Sequence, residues 1–478
     1  MAGESPVAIL GLDGADHVLI EQWSAQGQLP TFAKLLREGA YGLIDSTSEI
    51  LSGTPWLSIA TGCNPAKCGI YERHQIEHGT YTIRRIRARD LRQPPFWNSF
   101  RGPIVALDVP KAPLFPALDG VQLVEWGGYD HYSELSSVPR ELSAEVLTEF
   151  GRHPFVQGNF EEVLHERRDF EFLKNQILDG VRMKQRLNLS LLRRYRPRLF
   201  CSVFGETHAA GHAFWRFQDP KHPLFVHGSG NENFLKEIYQ AIDSALEEFI
   251  EALPQNCFLM VVSGHGFDLD NLANDLLQQV LTRMGMTVPR LTSSRYAAYV
   301  PALSLDMTRS RAFCLPTAWQ GLVRINLRGR EPAGIVSGPE YELVCEEIEN
   351  ELLALRHRDN GAPVVKAVVQ PRRLYRGLFS ERLPDLSVIW NTGQIVREVV
   401  SPRCGLIECH PDLSGGCGNH RGVGFLLASG PGVGLGRLTG RDFDIAPTVS
   451  EWLGERALPD WDGAPLKLTD SKFVEESM

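Results

Sequence analysis

The feature that most constrains the fold is a series of short, continuous apolar runs that each end in a polar or glycine-rich turn. Val7–Leu12 ends at Asp13-Gly14, and residues 257–262 lead into Ser263-Gly264-His265-Gly266. Leu199–Phe204 repeats the pattern. An apolar run without polar alternation is typical of a strand that is buried on both faces. We therefore expect a sheet that is covered on both sides.

Helical patterns separate these runs. Residues 234–253 carry Leu235, Ile238, Ile242 and Leu246 on one stripe, which predicts an amphipathic helix. Strands that alternate with helices indicate an α/β fold with a mostly parallel central sheet and helices on both faces.

The sequence pattern changes between residues 284 and 400, where a charged helical pattern is followed by several short strand-like segments. After it, residues 422–429 (GVGFLLAS) again resemble a core strand. We predict a core formed by residues 1–283 and 401–478, interrupted by a smaller inserted α+β subdomain at residues 284–400.

Composition restricts the classes of partner. The net charge of −9 argues against a nucleic-acid-binding surface, which normally carries a basic excess. No run approaches about 18 apolar residues, and no basic stretch precedes the first strand pattern. We expect a cytoplasmic protein that does not bind membranes and acts on a small molecule.

Ligands of open α/β sheets bind beyond the carboxyl ends of the strands, so polar residues at those points are candidates for chemistry. Asp13 and His265 each follow a strand pattern, while His420 precedes one and could reach the same edge through its loop. His208 and His212 are four residues apart, a spacing that lets two imidazoles bind one zinc ion if the segment is helical. Each could instead be an ordinary buried or loop residue, and Asp13 could cap a helix.

A further candidate is the segment from Ser52 to Gly62, in which Ser52 or Thr54 would stand at the start of a short helix. A hydroxyl there faces free backbone N–H groups and the positive end of the helix, which suits attack on a phosphate. The alternative is a plain N-terminal cap, the commoner use of Ser and Thr.

Taken together and in order, these segments resemble the type I phosphodiesterase/nucleotide pyrophosphatase branch of the alkaline phosphatase superfamily. The matching pieces are residues 11–14, residues 52–62 with Asn64-Pro65 and Gly69-Ile70, residues 208–212, residues 265–267, residues 418–422 with Gly430-Pro431-Gly432, and residues 444–449.

The resemblance implies an alkaline-phosphatase-like fold with two divalent metals, usually zinc, beside a Ser or Thr nucleophile. Carried over by position, one metal would be held by His208, His212 and His420. The other would be held by Asp13, Ser52 and His265, with Ser52 also the nucleophile.

The chain departs from the family pattern at two of these positions. The family usually has Asp where His208 stands, and Asp-His where this chain has Gly264-His265. The second change removes a carboxylate ligand, so the expected content is one or two metal ions. Glu206, Asp268 and Asp270 are the carboxylates that could replace it.

The expected function is metal-dependent hydrolysis of a phosphate ester through a phosphoseryl intermediate on Ser52, of the phosphodiesterase, nucleotide pyrophosphatase or monoesterase type. The alternatives are a sulfate-ester hydrolase or phosphotransferase of the same superfamily, and a non-catalytic descendant that only binds a ligand. Substrate specificity belongs to the inserted loops of such folds and is not encoded in these motifs.

Overall fold

The structure is a computed structural model that describes residues 5–128, 132–157, 169–269, 275–290, 301–317, 319–409 and 418–469. Its centre is a ten-stranded sheet. In spatial order the strands are Lys467–Thr469, Gly436–Thr439, Ala40–Asp45, Val423–Ser429, Phe258–Ser263, Val7–Leu12, Leu199–Phe204, Ile104–Leu107, Gly120–Val124 and Ser136–Val138.

The middle of this sheet is parallel, as predicted. Val7–Leu12 pairs in parallel with Leu199–Phe204 on one side and with Phe258–Ser263 on the other. Val423–Ser429 is antiparallel to both of its neighbours. The apolar runs at residues 7–12 and 199–204 thus form strands with the bounds that their composition predicts, because a parallel strand covered on both faces is predominantly apolar. The buried Ser202 hydroxyl in the second strand donates a hydrogen bond to Asn188 Oδ1 at 2.8 Å.

The α-helices of the described residues are His17–Ala25, Pro30–Glu38, Pro55–Thr61, Pro65–Cys68, Glu141–Glu149, Phe170–Tyr195, Glu206–Gln218, Phe234–Ala252, Leu276–Arg283, Pro301–Ser304, Tyr341–Leu353, Pro371–Leu374 and Ile445–Trp452. They cover both faces of the sheet. Ala8 and Leu10 pack toward a cluster that includes Phe170–Tyr195 and Phe234–Ala252, while Val7 and Ile9 pack toward Pro55–Thr61 and Ile445–Trp452.

Among the described residues, four smaller sheets lie outside the main one. Two of them are antiparallel pairs of short strands, His74–Ile76 with Ile83–Arg85 and Gly266–Leu269 with Gly418–Arg421. The other two consist of Ala312–Leu315, Gly321–Ile325, Leu386–Trp390 and Val365–Val369, and of Arg356–His357, Glu398–Ser401 and Gly405–Glu408.

A separate hydrophobic cluster joins these last two sheets to the helix Tyr341–Leu353. The cluster also contains residues of the helix Leu276–Arg283, which precedes the predicted insertion, and Ile407 and Cys409, which follow it. The inserted subdomain at residues 284–400 remains a prediction in its bounds. No helix among the described ranges is both long and apolar enough to cross a membrane.

Candidate metal centre and nucleophile

All six residues predicted for the site have described positions, and five of them meet at the carboxyl edge of the central strands. Asp13 directly follows the strand Val7–Leu12, and His265 follows Phe258–Ser263 after one glycine. His208 and His212 lie on the first two turns of the helix Glu206–Gln218. This helix is held against Asp13, since the Thr207 hydroxyl donates a hydrogen bond to the Asp13 carbonyl at 2.6 Å.

His420 reaches this edge by a route that differs from the expected loop. It lies on the strand Gly418–Arg421, which pairs antiparallel with Gly266–Leu269 and sets His420 opposite Phe267. The two short strands therefore bring His265 and His420 together, and their rings stack with centroids 4.1 Å apart.

Three imidazole nitrogens converge at one point. The Nε2 atom of His208 is 3.0 Å from that of His212 and 3.1 Å from that of His420, and the last two are 3.2 Å apart. Four nitrogens bound tetrahedrally to zinc at about 2.0–2.1 Å would be separated by about 3.3 Å. The three side chains therefore fit a single small cation with one position left open.

Hydrogen bonds fix which nitrogen of two of these rings carries the proton. The Nδ1 atom of His208 is 2.8 Å from Asp13 Oδ2, and that of His212 is 3.0 Å from the Gly418 carbonyl oxygen. Both oxygens can only accept, so each Nδ1 carries the proton and each Nε2 presents a lone pair. Orientation of a metal-binding histidine through its second nitrogen is the usual arrangement in metal sites.

The site favours neutral imidazoles beside an ionised carboxylate. Burial, together with the neighbouring histidines, holds the pKa of His212 and of His420 well below the ordinary value. Burial alone would raise the pKa of Asp13, but His208 and His265 outweigh it and keep that pKa well below the usual range. Neutral imidazole and ionised carboxylate are the forms that bind metals.

A second possible ligand group shares a member with the first. It consists of Asp13, His208 and His265, with His265 Nε2 at 3.3 Å from Asp13 Oδ1. Ser52, which the resemblance assigns to the second metal, lines the same cavity as the three residues of this group. The Trp56 indole Nε1 donates to the same Asp13 Oδ1 at 2.6 Å. Trp56 can approach because Gly11 has no side chain, and a Cβ there would overlap the indole ring.

Of the carboxylates considered as replacements at Gly264, the two that the structure describes, Glu206 and Asp268, join neither group. Glu206 is buried and pairs with His153, whose Nε2 is 2.9 Å from Glu206 Oε1. Asp268 lies on the strand Gly266–Leu269 and accepts a hydrogen bond from the Leu269 amide at 2.7 Å. Asp270 lies outside the described residues.

The two candidate nucleophiles have different surroundings. Ser52 lines a cavity together with Asp13, His208, His265 and His420. The Thr54 hydroxyl is 2.6 Å from the Leu51 carbonyl and 2.8 Å from Thr47 Oγ1, and only 1% of Thr54 is exposed. Thr54 precedes the helix Pro55–Thr61, which ends at Gly62 in the left-handed conformation (φ 66°). Thr54 therefore faces the protein interior, and Ser52 faces the cavity.

Two residues beside Ser52 were not found from the sequence. The Ser52 hydroxyl donates to Glu72 Oε2 at 2.5 Å, and Lys111 Nζ donates to the Gly53 carbonyl at 2.5 Å while lining the cavity. Lys111 comes shortly after the strand Ile104–Leu107, so the rule that drew attention to Asp13 also applies to it. Glu72 follows no strand, and no sequence pattern singles it out.

A family model for type I phosphodiesterases/nucleotide pyrophosphatases matches residues 7–403 of this chain. The chain belongs to this family. It is thus a phosphoric-ester hydrolase of the alkaline phosphatase superfamily, whose members depend on divalent metals. The resemblance drawn from the ordered motifs is confirmed. Among curated proteins, no sequence matches the chain.

Solved structures of the superfamily share the fold. Phosphonoacetate hydrolase from Sinorhizobium meliloti 1021, in complex with phosphonoformate, matches with a TM-score of 0.52 and 15% identity over 94% of this chain and 95% of that one. Murine ectonucleotide pyrophosphatase/phosphodiesterase 5, as an inactive threonine-to-alanine variant with AMP, matches with a TM-score of 0.50 and 12% identity over 95% and 96%. The alkaline phosphatase PafA matches with a TM-score of 0.52 and 12% identity over 96% and 98%. The alkaline-phosphatase-like architecture is confirmed.

Proposed function

We propose that this enzyme hydrolyses small phosphate esters through a phosphoseryl intermediate on Ser52, beside a divalent metal held by His208, His212 and His420. The observation that carries the proposal is the convergence of three Nε2 atoms at 3.0–3.2 Å next to the cavity that Ser52 lines. An all-imidazole donor set of this size suits zinc.

A divalent cation bound there would supply Lewis-acid chemistry, since it would polarise a phosphoryl oxygen and stabilise negative charge in the transition state. Residues of the chain itself would bind the phosphate and place it next to Ser52. Lys111 adds a positive charge to the cavity wall and its hydrogen bond to the Gly53 carbonyl fixes it next to the nucleophile. A phosphate ester is therefore attracted to the place where Ser52 Oγ can attack phosphorus.

Ser52 needs a group that accepts its proton as the new O–P bond forms and the ester P–O bond breaks. Glu72 Oε2 already accepts the Ser52 hydrogen bond at 2.5 Å, within the range expected of a general base. The alcohol portion of the ester would leave with a proton from solvent water. A second water molecule would then attack the phosphorus of the phosphoserine as the Ser52 O–P bond breaks, while Glu72 returns its proton to Ser52 Oγ. The product would be phosphate, or a phosphate monoester where the substrate is a diester, and the proton of the attacking water would pass to solvent.

The nature of the substrate is supported by the ligands of the structural relatives. Phosphonoformate and AMP, the ligands in the complexes of the two relatives, are both small phosphorus oxyanions. In this chain the cavity combines Lys111 and the histidines with apolar residues such as Leu91 and Val109. We propose a small-molecule ester that has an apolar portion next to its phosphate.

The proposal is tested by comparing Ser52→Ala with Thr54→Ala, using aryl phosphate monoesters and diesters as probes. Ser52→Ala should lose hydrolysis while its melting temperature changes little. Thr54→Ala should remain active but lose about 1–2 kcal/mol of stability, because it removes a buried hydrogen-bonded hydroxyl. An inactive Thr54→Ala beside an active Ser52→Ala would refute the assignment of the nucleophile.

A further inference from the structure

We propose that this chain binds one divalent ion rather than two, and that Asp13 is a positioning residue for His208 rather than a ligand of a second ion. The inference deepens the proposed function and rests on it for the three-histidine site. It follows from the contacts of Asp13, the packing at Gly264 and the charge of the ligand groups.

Both oxygens of Asp13 already have partners in the protein. Oδ2 accepts from His208 Nδ1 at 2.8 Å, and Oδ1 accepts from Trp56 Nε1 at 2.6 Å. The first contact orients the His208 ring so that its Nε2 points at the nitrogens of His212 and His420. A carboxylate that holds a metal-binding histidine through its far nitrogen is a common partner in zinc sites.

The second ligand group is incomplete without His208. That ring would have to give Nδ1 to one ion and Nε2 to another, and so lose the proton that it donates to Asp13. Without His208 the histidine and carboxylate ligands of the group are reduced to Asp13 and His265. The third member that the resemblance implies, the Ser52 hydroxyl, donates its hydrogen bond to Glu72, and a catalytic zinc normally has three protein ligands.

The structure leaves no room for the missing ligand. A Cβ at Gly264 would lie 2.8 Å from Pro55 Cβ and 3.5 Å from Ile59 Cδ1, so the helix Pro55–Thr61 fills the space that a side chain would need. Nor does Glu72 substitute. Its carboxylate accepts from Ser52, yet it does not meet Asp13 and His265 in any metal-ligand group of the described residues.

Charge leads to the same conclusion. The two ligand groups together contain four histidines, which bind metals as neutral rings, and a single carboxylate, Asp13. Two divalent ions would bring four positive charges against one negative charge in a buried site, where repulsion is poorly screened. One ion leaves a single excess positive charge, which an anionic substrate can balance.

The experiment is a metal titration that does not depend on activity. Chelator-treated full-length protein is dialysed against Zn²⁺ and its bound metal counted, and Co²⁺ is used in parallel for its absorption spectrum. We expect one tight equivalent in the natural protein, none in His212→Ala, and one in His265→Gln. Asp13→Asn should also retain one equivalent, with affinity about 10–100-fold lower, as for other residues that orient a ligand.

Two tight equivalents in the natural protein, one of which is lost in His265→Gln, would overturn the inference and leave the proposed function standing. No tight equivalent in the natural protein would overturn both. Circular dichroism and melting curves check that each variant folds. If Asp13→Asn does not fold, the count in His265→Gln decides the question, because His265 takes no part in the three-histidine group.

Discussion

At the scale of single residues, the reactivity of Ser52 depends on what receives its proton. The nearest described acceptor is Glu72, and the hydrogen bond between them is short. Glu72 is itself oriented, because its other oxygen accepts from the Arg73 amide at 2.7 Å. The hydroxyl of Ser52, the proposed nucleophile, is therefore oriented by a residue twenty positions away in the sequence.

Glu72→Gln tests this role. Glutamine keeps the shape and the oxygen that can accept a hydrogen bond, but it cannot take up a proton. We expect kcat to fall by about 10²–10⁴-fold, the usual range for a general base, with metal content and melting temperature little changed. Turnover at the natural rate in Glu72→Gln would mean that Ser52 loses its proton to another group.

At the scale of elements, the helix Pro55–Thr61 positions parts of the site through its contacts with Asp13 and with the turn at Gly264. It starts three residues after Ser52, brings Trp56 to Asp13, and packs Pro55 against the turn at Gly264. Pro55 has a rigid ring, so this contact cannot relax by a change of rotamer.

We therefore expect Gly264→Asp to destabilise the protein by about 1–3 kcal/mol through overpacking, rather than to create a metal ligand. Gly264→Ala is the matched control, since it adds the same Cβ without a carboxylate and should account for most of the loss. Both are measured by denaturant unfolding. A Gly264→Asp variant as stable as the natural protein, with a second bound metal, would contradict this account of the turn.

A second contact between elements should make stability depend on pH. Asp442 accepts from the amide and hydroxyl of Thr47 at 2.9 and 2.5 Å, which joins the 3₁₀ turns Thr47–Glu49 and Asp442–Asp444 behind the nucleophile segment. Burial raises the pKa of Asp442 to about 7. An acid whose pKa is higher in the folded state stabilises the fold below its unfolded pKa of about 3.9, and that contribution is lost as pH rises.

The difference in free energy of unfolding between Asp442→Asn and the natural protein should therefore shift in favour of the variant as pH rises from about 4 to 7. The shift should be up to about 4 kcal/mol, since each pKa unit corresponds to about 1.4 kcal/mol. Above that pH range the difference in free energy of unfolding between the two proteins should become constant. A difference that does not change between pH 4 and 8 would show that Asp442 is ionised throughout.

The elements that the sequence predicted best are those whose pattern is local. Leu199–Phe204 has the expected bounds because a fully buried strand is predominantly apolar. The strand Gly418–Arg421 was not predicted, since its residues, Gly-Asn-His-Arg, have no apolar pattern and pair only because Gly266–Leu269 lies beside them. The pairing of Glu206 with His153 could not be predicted either, because the two residues are distant in sequence.

At the scale of the whole molecule, the site exists only when distant parts of the chain are folded together. The three histidines and Asp13 come from three segments separated by about two hundred residues each, and Glu72 joins them from a fourth. The order of the motifs could predict this assembly, because strands of one parallel sheet end at one edge. The proposed binding of a single ion could not be predicted so directly from the sequence, since the proposal depends on the packing of Pro55 at Gly264.

The most direct test of the account is to trap the covalent intermediate. The metal-loaded enzyme is mixed with excess aryl phosphate monoester, quenched in acid within one turnover, digested, and analysed by mass spectrometry. We expect one added phosphoryl group on the peptide that contains Ser52, and none in His212→Ala or in chelator-treated enzyme. Phosphate on another residue, or hydrolysis at the natural rate with no phosphorylated peptide at any quench time, would contradict it.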